Sequence, residues 1–269
     1  MRLGMHLVEG FSGPEDWIKQ LKSRNCRAAF CPVKADGESA LKAEYLQAAT
    51  ESDILLAEVH SWSNMASAYE DERKESLAYC IEQLQLAEEL GARCCVTTAG
   101  SRKRKKGPHK ENLQEETFEL IVKSVQKIID EVQPRNTFFT LECMPWIFPR
   151  TVEDYLRLIK SIDRKSFAVH FDPVNLIYNL ENYYENGEFL KKAIKKLGPY
   201  TKSCHGKDIA LGEAFPIEIR ECEPGKGILE YQTYIREMDK IDSDMPLMLE
   251  HLKSDEEYRR AGKYVEQFL

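Results

Sequence analysis

Four side chains of metal-ligand type close four consecutive β-like runs in the second half of the chain. Glu142 ends Phe-Phe-Thr-Leu-Glu, Asp172 ends Val-His-Phe-Asp, His205 lies in Ser-Cys-His-Gly-Lys-Asp, and Glu250 ends Leu-Met-Leu-Glu. A single polar residue finishing an apolar strand means little, because it can cap a helix or pair with a surface lysine. Glu, Asp, His and Glu finishing successive strands form a ligand set. Three carboxylates and one imidazole make a mostly hard oxygen site with one nitrogen, which suits one divalent ion, Mn²⁺ first, then Mg²⁺ or Co²⁺, with Zn²⁺ admitted.

The elements that must bring these four together alternate along the chain. Strand-like runs fall at 3–6, 28–31, 54–60, 94–98, 137–142, 167–172, 201–205 and 247–250. Amphipathic stretches at 14–24, 38–51, 70–90, 112–132, 151–162, 187–197, 228–240 and 254–268 predict helices between them. Leu77, Cys80, Ile81, Leu84, Ala87 and Leu90 recur at helical spacing, and Gly91 suits a C-cap. Thr151 followed by Glu153 and Asp154 reads as an N-cap with acids behind it. Eight strand–helix units predict an α/β chain, a (β/α)8 TIM barrel, with residues 1–269 as one domain. The rival, a doubly wound open sheet, lacks a Gly-rich phosphate turn after its first strand. In a barrel the C-terminal strand ends converge on the catalytic face.

At this point the chain resembles the xylose isomerase-like TIM barrel superfamily, in its sugar phosphate isomerase/epimerase family, over nearly its whole length. The resemblance is carried by Leu141-Glu142 with Pro145-Trp146, by His170-Phe171-Asp172-Pro173-Val174-Asn175, and by His205-Gly206-Lys207-Asp208. Glu223-Pro224-Gly225-Lys226-Gly227 and Leu249-Glu250-His251 complete it. It implies that Glu142, Asp172, His205 and Glu250 bind the cation and that Glu142 and Glu250 are the catalytic proton carriers. The chain departs from many epimerases of this family at Asn175, where they have a histidine. An amide hydrogen-bonds but is neither acid nor base at neutral pH. The superfamily also holds dehydratases, hydroxypyruvate isomerases, abasic-site endonucleases and C-glycoside-cleaving enzymes, and the fold does not choose among them.

A divalent cation holding adjacent oxygens of a hydroxy-ketone stabilises the ene-diolate left when the α-proton departs. Proton return to the opposite face is epimerisation, and return to the neighbouring carbon is isomerisation. Expulsion of a β-leaving group is dehydration or elimination, as from a 3-keto glycoside. An isomerase or epimerase of a small sugar, keto-sugar or sugar phosphate is the first reading, and a lyase of the same substrates the second. Candidate substrate-binding residues are His60, Trp62, Trp146, Asn175, Lys207 and Arg220, with His6 a weaker one. His170 sits one layer deeper on the Asp172 face, as support or core, and Asp208 orients its neighbours or pairs with a base.

Residues 102–106, Arg-Lys-Arg-Lys-Lys, form a basic loop after the fourth strand. It reads as a solvated mobile loop, as a clamp for a phosphorylated or carboxylated substrate, or as a contact to a nucleic-acid backbone. A net charge of −7 disfavours the last. An abasic-site endonuclease is therefore a distant third reading, and ligand binding without turnover stands as a further alternative. No signal-like or membrane-spanning apolar run is present, and the eight cysteines contain no C-x-x-C pair. These features predict a cytoplasmic protein with reduced thiols, a small-molecule sugar partner and possible homo-oligomers.

Overall fold

In the computed structural model, which describes residues 1–104 and 106–269, the eight apolar runs become parallel strands of one sheet. They are β1 (Arg2–Met5), β2 (Ala28–Phe30), β3 (Leu55–His60), β4 (Cys94–Thr98), β5 (Phe138–Glu142), β6 (Phe167–Phe171) and β7 (Thr201–Gly206), followed by β10 (Pro246–Leu249). An antiparallel hairpin of β8 (Asp208–Leu211) and β9 (Ile219–Cys222) lies between the last two. The hydrogen-bonded order is β1-β10-β7-β6-β5-β4-β3-β2, and the Arg27 N–H donates to the Leu3 carbonyl at 2.8 Å to draw β2 against β1. The sheet is thus a nearly closed TIM barrel.

The principal outer helices are α1 (Pro14–Lys22), α2 (Ser39–Glu51), α3 (Glu70–Leu90), α4 (Glu115–Val132), α5 (Val152–Ile162), α8 (Asn186–Leu197), α9 (Tyr231–Asp239) and α10 (Asp255–Val265). Their ends follow the sequence. Gly91 takes the left-handed C-cap position of α3, and the Thr151 hydroxyl accepts the Asp154 N–H at the start of α5. Their apolar faces cover the barrel, with Leu84, Ile121, Val125 and Leu158 fully buried. No described helix is long and apolar enough to cross a membrane.

Three segments correct the sequence expectation. The helix expected from 112 is interrupted: a 3₁₀ turn over Lys110–Leu113 precedes α4, with the Thr117 hydroxyl donating to the Glu111 carbonyl and the Asn112 amide drawn back to the Gly107 carbonyl of the preceding loop. Residues 173–184 fold as two short helices, α6 (Pro173–Leu176) and α7 (Leu180–Tyr184). The stretch after His205 forms the β8–β9 hairpin, whose alternating Ile209, Leu211 and Ile219 carry a strand period too short to separate from a loop.

Two local features shape the barrel interior. Ala57 packs with Ala28 and Met248, while the adjacent Glu58 reaches groups inside the barrel. Consecutive residues of a regular strand face opposite sides, so this requires the register shift seen between β2 and β3 at Ala29/Phe30. Buried tyrosines also tie the strands from outside. The Tyr155 hydroxyl on α5 lies 2.9 Å from the carbonyls of both Leu141 and His170. Tyr234 on α9 lies 3.0 Å from the His205 carbonyl and 3.3 Å from that of Phe171.

At Gly4 a Cβ would stand 2.5 Å from the Met248 sulfur and 2.7 Å from the Ala28 carbonyl oxygen. Gly4→Val should therefore destabilise the barrel by about 1–3 kcal/mol through overpacking, read as a lower urea midpoint. An unchanged midpoint would show that the wall yields there at no cost.

Candidate metal centre and active site

The four ligand-type residues reach one point from four consecutive strand ends. Glu142 is the last residue of β5, His205 lies within β7, and Glu250 follows β10. Asp172 follows β6 and caps α6, its Oδ1 accepting the N–H groups of Val174 at 3.0 Å and Asn175 at 3.4 Å. That cap fixes the carboxylate and leaves Oδ2 facing the cluster. All four are buried, and one ligand atom from each lies within 4.8 Å of the others. His205 presents Nδ1 to the carboxylates, 2.9 Å from Glu250, 3.2 Å from Glu142 and 3.6 Å from Asp172.

Such a cluster demands positive charge. The Lys207 ammonium lies 2.6 Å from Asp172 Oδ2, 2.8 Å from Glu250 Oε1 and 3.8 Å from Glu142 Oε1. Glu221 on β9 approaches it at 3.4 Å. Burial disfavours charge on His205, yet Glu250, Glu142 and Glu58 outweigh it and hold the imidazole well above its usual range. Glu142 is raised by burial, whereas His205 and Lys207 overcome burial at Glu250 and hold it down. Asp172 Oδ2 and Glu250 Oε1 are buried with no well-directed hydrogen bond. Two oxygens still lacking directed partners, a third carboxylate and an imidazole nitrogen fit a hard divalent cation. Its two charges with that of Lys207 would balance the three carboxylates.

Below this point lies a second, fully buried polar group that the sequence reading missed. Glu58 of β3 accepts from Ser203 Oγ and pairs with His170 Nε2 at 3.0 Å and His60 Nε2 at 3.1 Å. Its Oε2 also faces His205 Nε2 at 3.6 Å. Burial opposes the Glu58 charge, but His170 and His205 prevail and hold its carboxyl well below the usual range. Glu58, His170 and His205 are themselves close enough to share an ion. The oxygens of Glu58 are already occupied by hydrogen bonds, so the upper cluster is the better cation site. The lower one turns the far nitrogen of His205 toward a carboxylate, an arrangement that fixes an imidazole ligand. The signal for it was a charge inside the apolar run Leu-Leu-Ala-Glu-Val-His.

The remaining candidates fall into distinct places. Asn175 Nδ2 donates to Glu142 Oε1 at 3.0 Å, so it touches the cluster itself. His60 is half-buried at the mouth, its ring 5.1 Å from that of Trp62. His6 stacks on Phe30 at 4.0 Å. Trp146 is half-buried with its indole N–H unpartnered, and Lys207 is spent on the carboxylates. Arg220 is exposed on β9, 3.8 Å from Glu218, and lines a cavity together with Asn175 and Glu221. Asp208 meets backbone, its carboxylate accepting the N–H groups of Ile209, Gly225, Gly227 and Leu229 at 2.8–3.1 Å. Of the basic loop, Lys105 lies outside the described residues. Arg104 pairs with Asp71 at 2.9 Å, Arg102 lies 3.9 Å from Glu111, and Lys106 stands 5.9 Å over the Trp62 ring.

Two expectations follow. Asp208→Ala would leave four amides without their acceptor and should cost about 3 kcal/mol, seen as a lowered melting temperature. Retained stability would deny that this carboxylate holds the Glu223–Gly227 loop. Burial pushes the His6 imidazole down to about 4 from 6.5, with His60 pushing the same way. The unfolded chain then binds this proton first, so stability present above pH 6.5 is lost as pH falls toward 4. His6→Phe should flatten that part of the acid limb in denaturation curves, and an identical limb would reject it.

Comparison with known proteins agrees with this fold. No curated protein sequence matches the chain. Among solved structures, the 3-keto-D-glucoside 4-epimerase of E. coli superposes with a TM-score of 0.74 at 14% identity, covering 99% of each chain. The probable 3-DHS dehydratase of petrobactin synthesis from Bacillus anthracis gives 0.73 at 14% identity, also over 99% of each. A Mycobacterium smegmatis protein of this fold, solved in complex with magnesium, gives 0.69 at 16% identity over 99% of this chain and 95% of its own. The family model described as xylose isomerase-like TIM barrel matches residues 6–268, and the chain belongs to that family.

Proposed function

We propose that the chain is a divalent-metal-dependent isomerase or epimerase of a keto-sugar or sugar phosphate, holding one Mn²⁺ through Glu142, Asp172, His205 and Glu250. The observation that carries this reading is the pair of buried glutamates, Glu142 and Glu250, brought from β5 and β10 to the two sides of His205 Nδ1. When bound, the cation supplies positive charge to the oxygens of a hydroxy-ketone and so eases loss of the neighbouring proton. One glutamate takes that proton and the other delivers one to the opposite face or the adjacent carbon. Asn175 steadies Glu142 through its amide, and Lys207 offsets carboxylate charge while the glutamates change protonation. Trp62 and His60 stand at the mouth, where an aromatic face and an imidazole suit a sugar ring and its hydroxyls.

The test is solvent deuterium incorporation into ketoses, 3-keto glycosides and sugar phosphates by Mn²⁺-loaded protein. Label next to the carbonyl is expected, and the product separates isomerisation from elimination. Glu250→Gln should lower the exchange rate by about 10²–10⁴-fold. No label across the panel, or normal exchange in that variant, would reject the two-glutamate mechanism.

A further inference from the structure

The turn that follows β4 carries the cations of residues 102–106 and is tied down by buried side chains. Asn64 Oδ1 accepts the Ser101 N–H at 2.7 Å, and its Nδ2 donates to the Lys103 carbonyl at 2.8 Å. Asn112 holds the other side, its Oδ1 accepting the Arg102 N–H at 2.8 Å and its Nδ2 donating to the Gly107 carbonyl at 3.0 Å. Ser101 Oγ donates to the same carbonyl at 2.8 Å. Asn64 packs so closely on Gly100, at φ +98°, that a Cβ there would overlap its side chain. A buried and satisfied polar network rigidifies what it joins. Here it fixes the backbone at Ser101–Lys103 and at Gly107, and with it the place from which Lys106 reaches out.

The cations of this turn differ in what they meet. Arg104 pairs with Asp71, Arg102 donates to the Ala66 carbonyl at 3.1 Å with Glu111 beyond, and Lys103 lies back along Gly107. Lys106 faces the barrel mouth instead. Its ammonium stands 5.9 Å over the Trp62 ring, which is itself 5.1 Å from that of His60. Among the described residues, no carboxylate is within ion-pair distance of it. The mouth walls draw water away from this exposed ammonium and push its pKa down, while the charge of Glu142 acts the other way. Lys106 thus feels the ligand cluster without being bonded to it, and the gap between them is where a bound molecule would lie.

A dication at the cluster and Lys207 would together offset Glu142, Asp172 and Glu250. The charge of Lys106 is then in excess, beside an aromatic face. A neutral sugar leaves that ammonium to water, whereas a phosphate or a carboxylate offers it a charge-assisted hydrogen bond. A lysine suits either anion, since its three donors turn freely on a flexible stem. We infer that Lys106 is a specificity-determining residue that holds an anionic group of the substrate, a phosphate ester or a carboxylate, while the carbon skeleton crosses Trp62 toward the glutamates. What happens at the far end of that substrate rests on the proposed proton transfer, and the anion contact is separate from it.

The test is calorimetric titration of the Mn²⁺-loaded full chain with sorbitol, sorbitol 6-phosphate and gluconate, none of which carries the ketone or aldehyde that the reaction needs. At least one acidic probe should bind about tenfold more tightly than sorbitol, and the tighter of the two tells a phosphate ester from a carboxylate. Lys106→Gln, at an exposed position that spares the fold, should remove that preference. Lys103→Gln takes the same charge from the same turn and should leave it in place. Equal affinity of all three probes in the unaltered protein, or no binding by either acid, would overturn the inference. So would a preference that survives Lys106→Gln, which places the anion elsewhere, or one lost equally in Lys103→Gln, which makes it a field of the whole turn. The deuterium panel reads the reaction separately. A preference lost only in Lys106→Gln, beside no exchange, rejects the proton transfer and keeps the anion contact, and exchange without any preference does the reverse.

Discussion

Three carboxylates buried around one imidazole are the constraint on which the catalytic face depends. Each alone would be expensive to ionise away from water, and together they repel. The fold meets this with charge brought from the same strand end: His205 and, two residues on, Lys207. The strand therefore delivers both the nitrogen ligand and the cation that tempers its neighbours. The Asp172 cap and the Asn175 amide use the short α6 helix to take up carboxylate oxygens that would otherwise compete for the same point. A divalent ion at the proposed site would complete a balance that the protein has already part-built.

The barrel and the meeting of Glu142, Asp172, His205 and Glu250 were legible because both rest on strong, short-range signals. Apolar runs alternating with 3.6-periodic stretches fix the elements, and strand-end polar residues stand out against apolar runs. What escaped notice depends on three dimensions. Glu58 is one acid inside an apolar run, and its partners His170 and Ser203 come from β6 and β7, far along the chain. The β8–β9 hairpin is too brief to show a period, so the strand that carries Arg220 beside Glu218 was not legible. Asp208 was read as orienting its neighbours or pairing with a base, and its four donors are backbone amides that no residue type announces.

The basic loop teaches the same lesson in reverse. A run of cations reads as a solvated loop, as a clamp for an anionic substrate or as a nucleic-acid contact, and the described part is folded back on its surroundings. Asn64 bridges the Ser101 N–H and the Lys103 carbonyl, and Arg104 lies over Tyr69 while paired with Asp71. Asp71 takes up charge of Arg104 that the sequence alone leaves free, while the Asn64 amide holds the loop backbone. Lys106 instead reaches back to the mouth beside Trp62.

The buried tyrosines of α5 and α9 carry a consequence for how such a site changes over time. Each hydroxyl spans the carbonyls of two adjacent ligand-bearing strands, so their spacing is set from the outer helices rather than from the loops above. The segments over the barrel mouth are thereby released from holding the ligands in place. Insertions, hairpins and helical turns there can be exchanged for others while the spacing of the strands that carry Glu142, Asp172 and His205 persists. One chemical step can then be inherited intact while the molecules presented to it diversify.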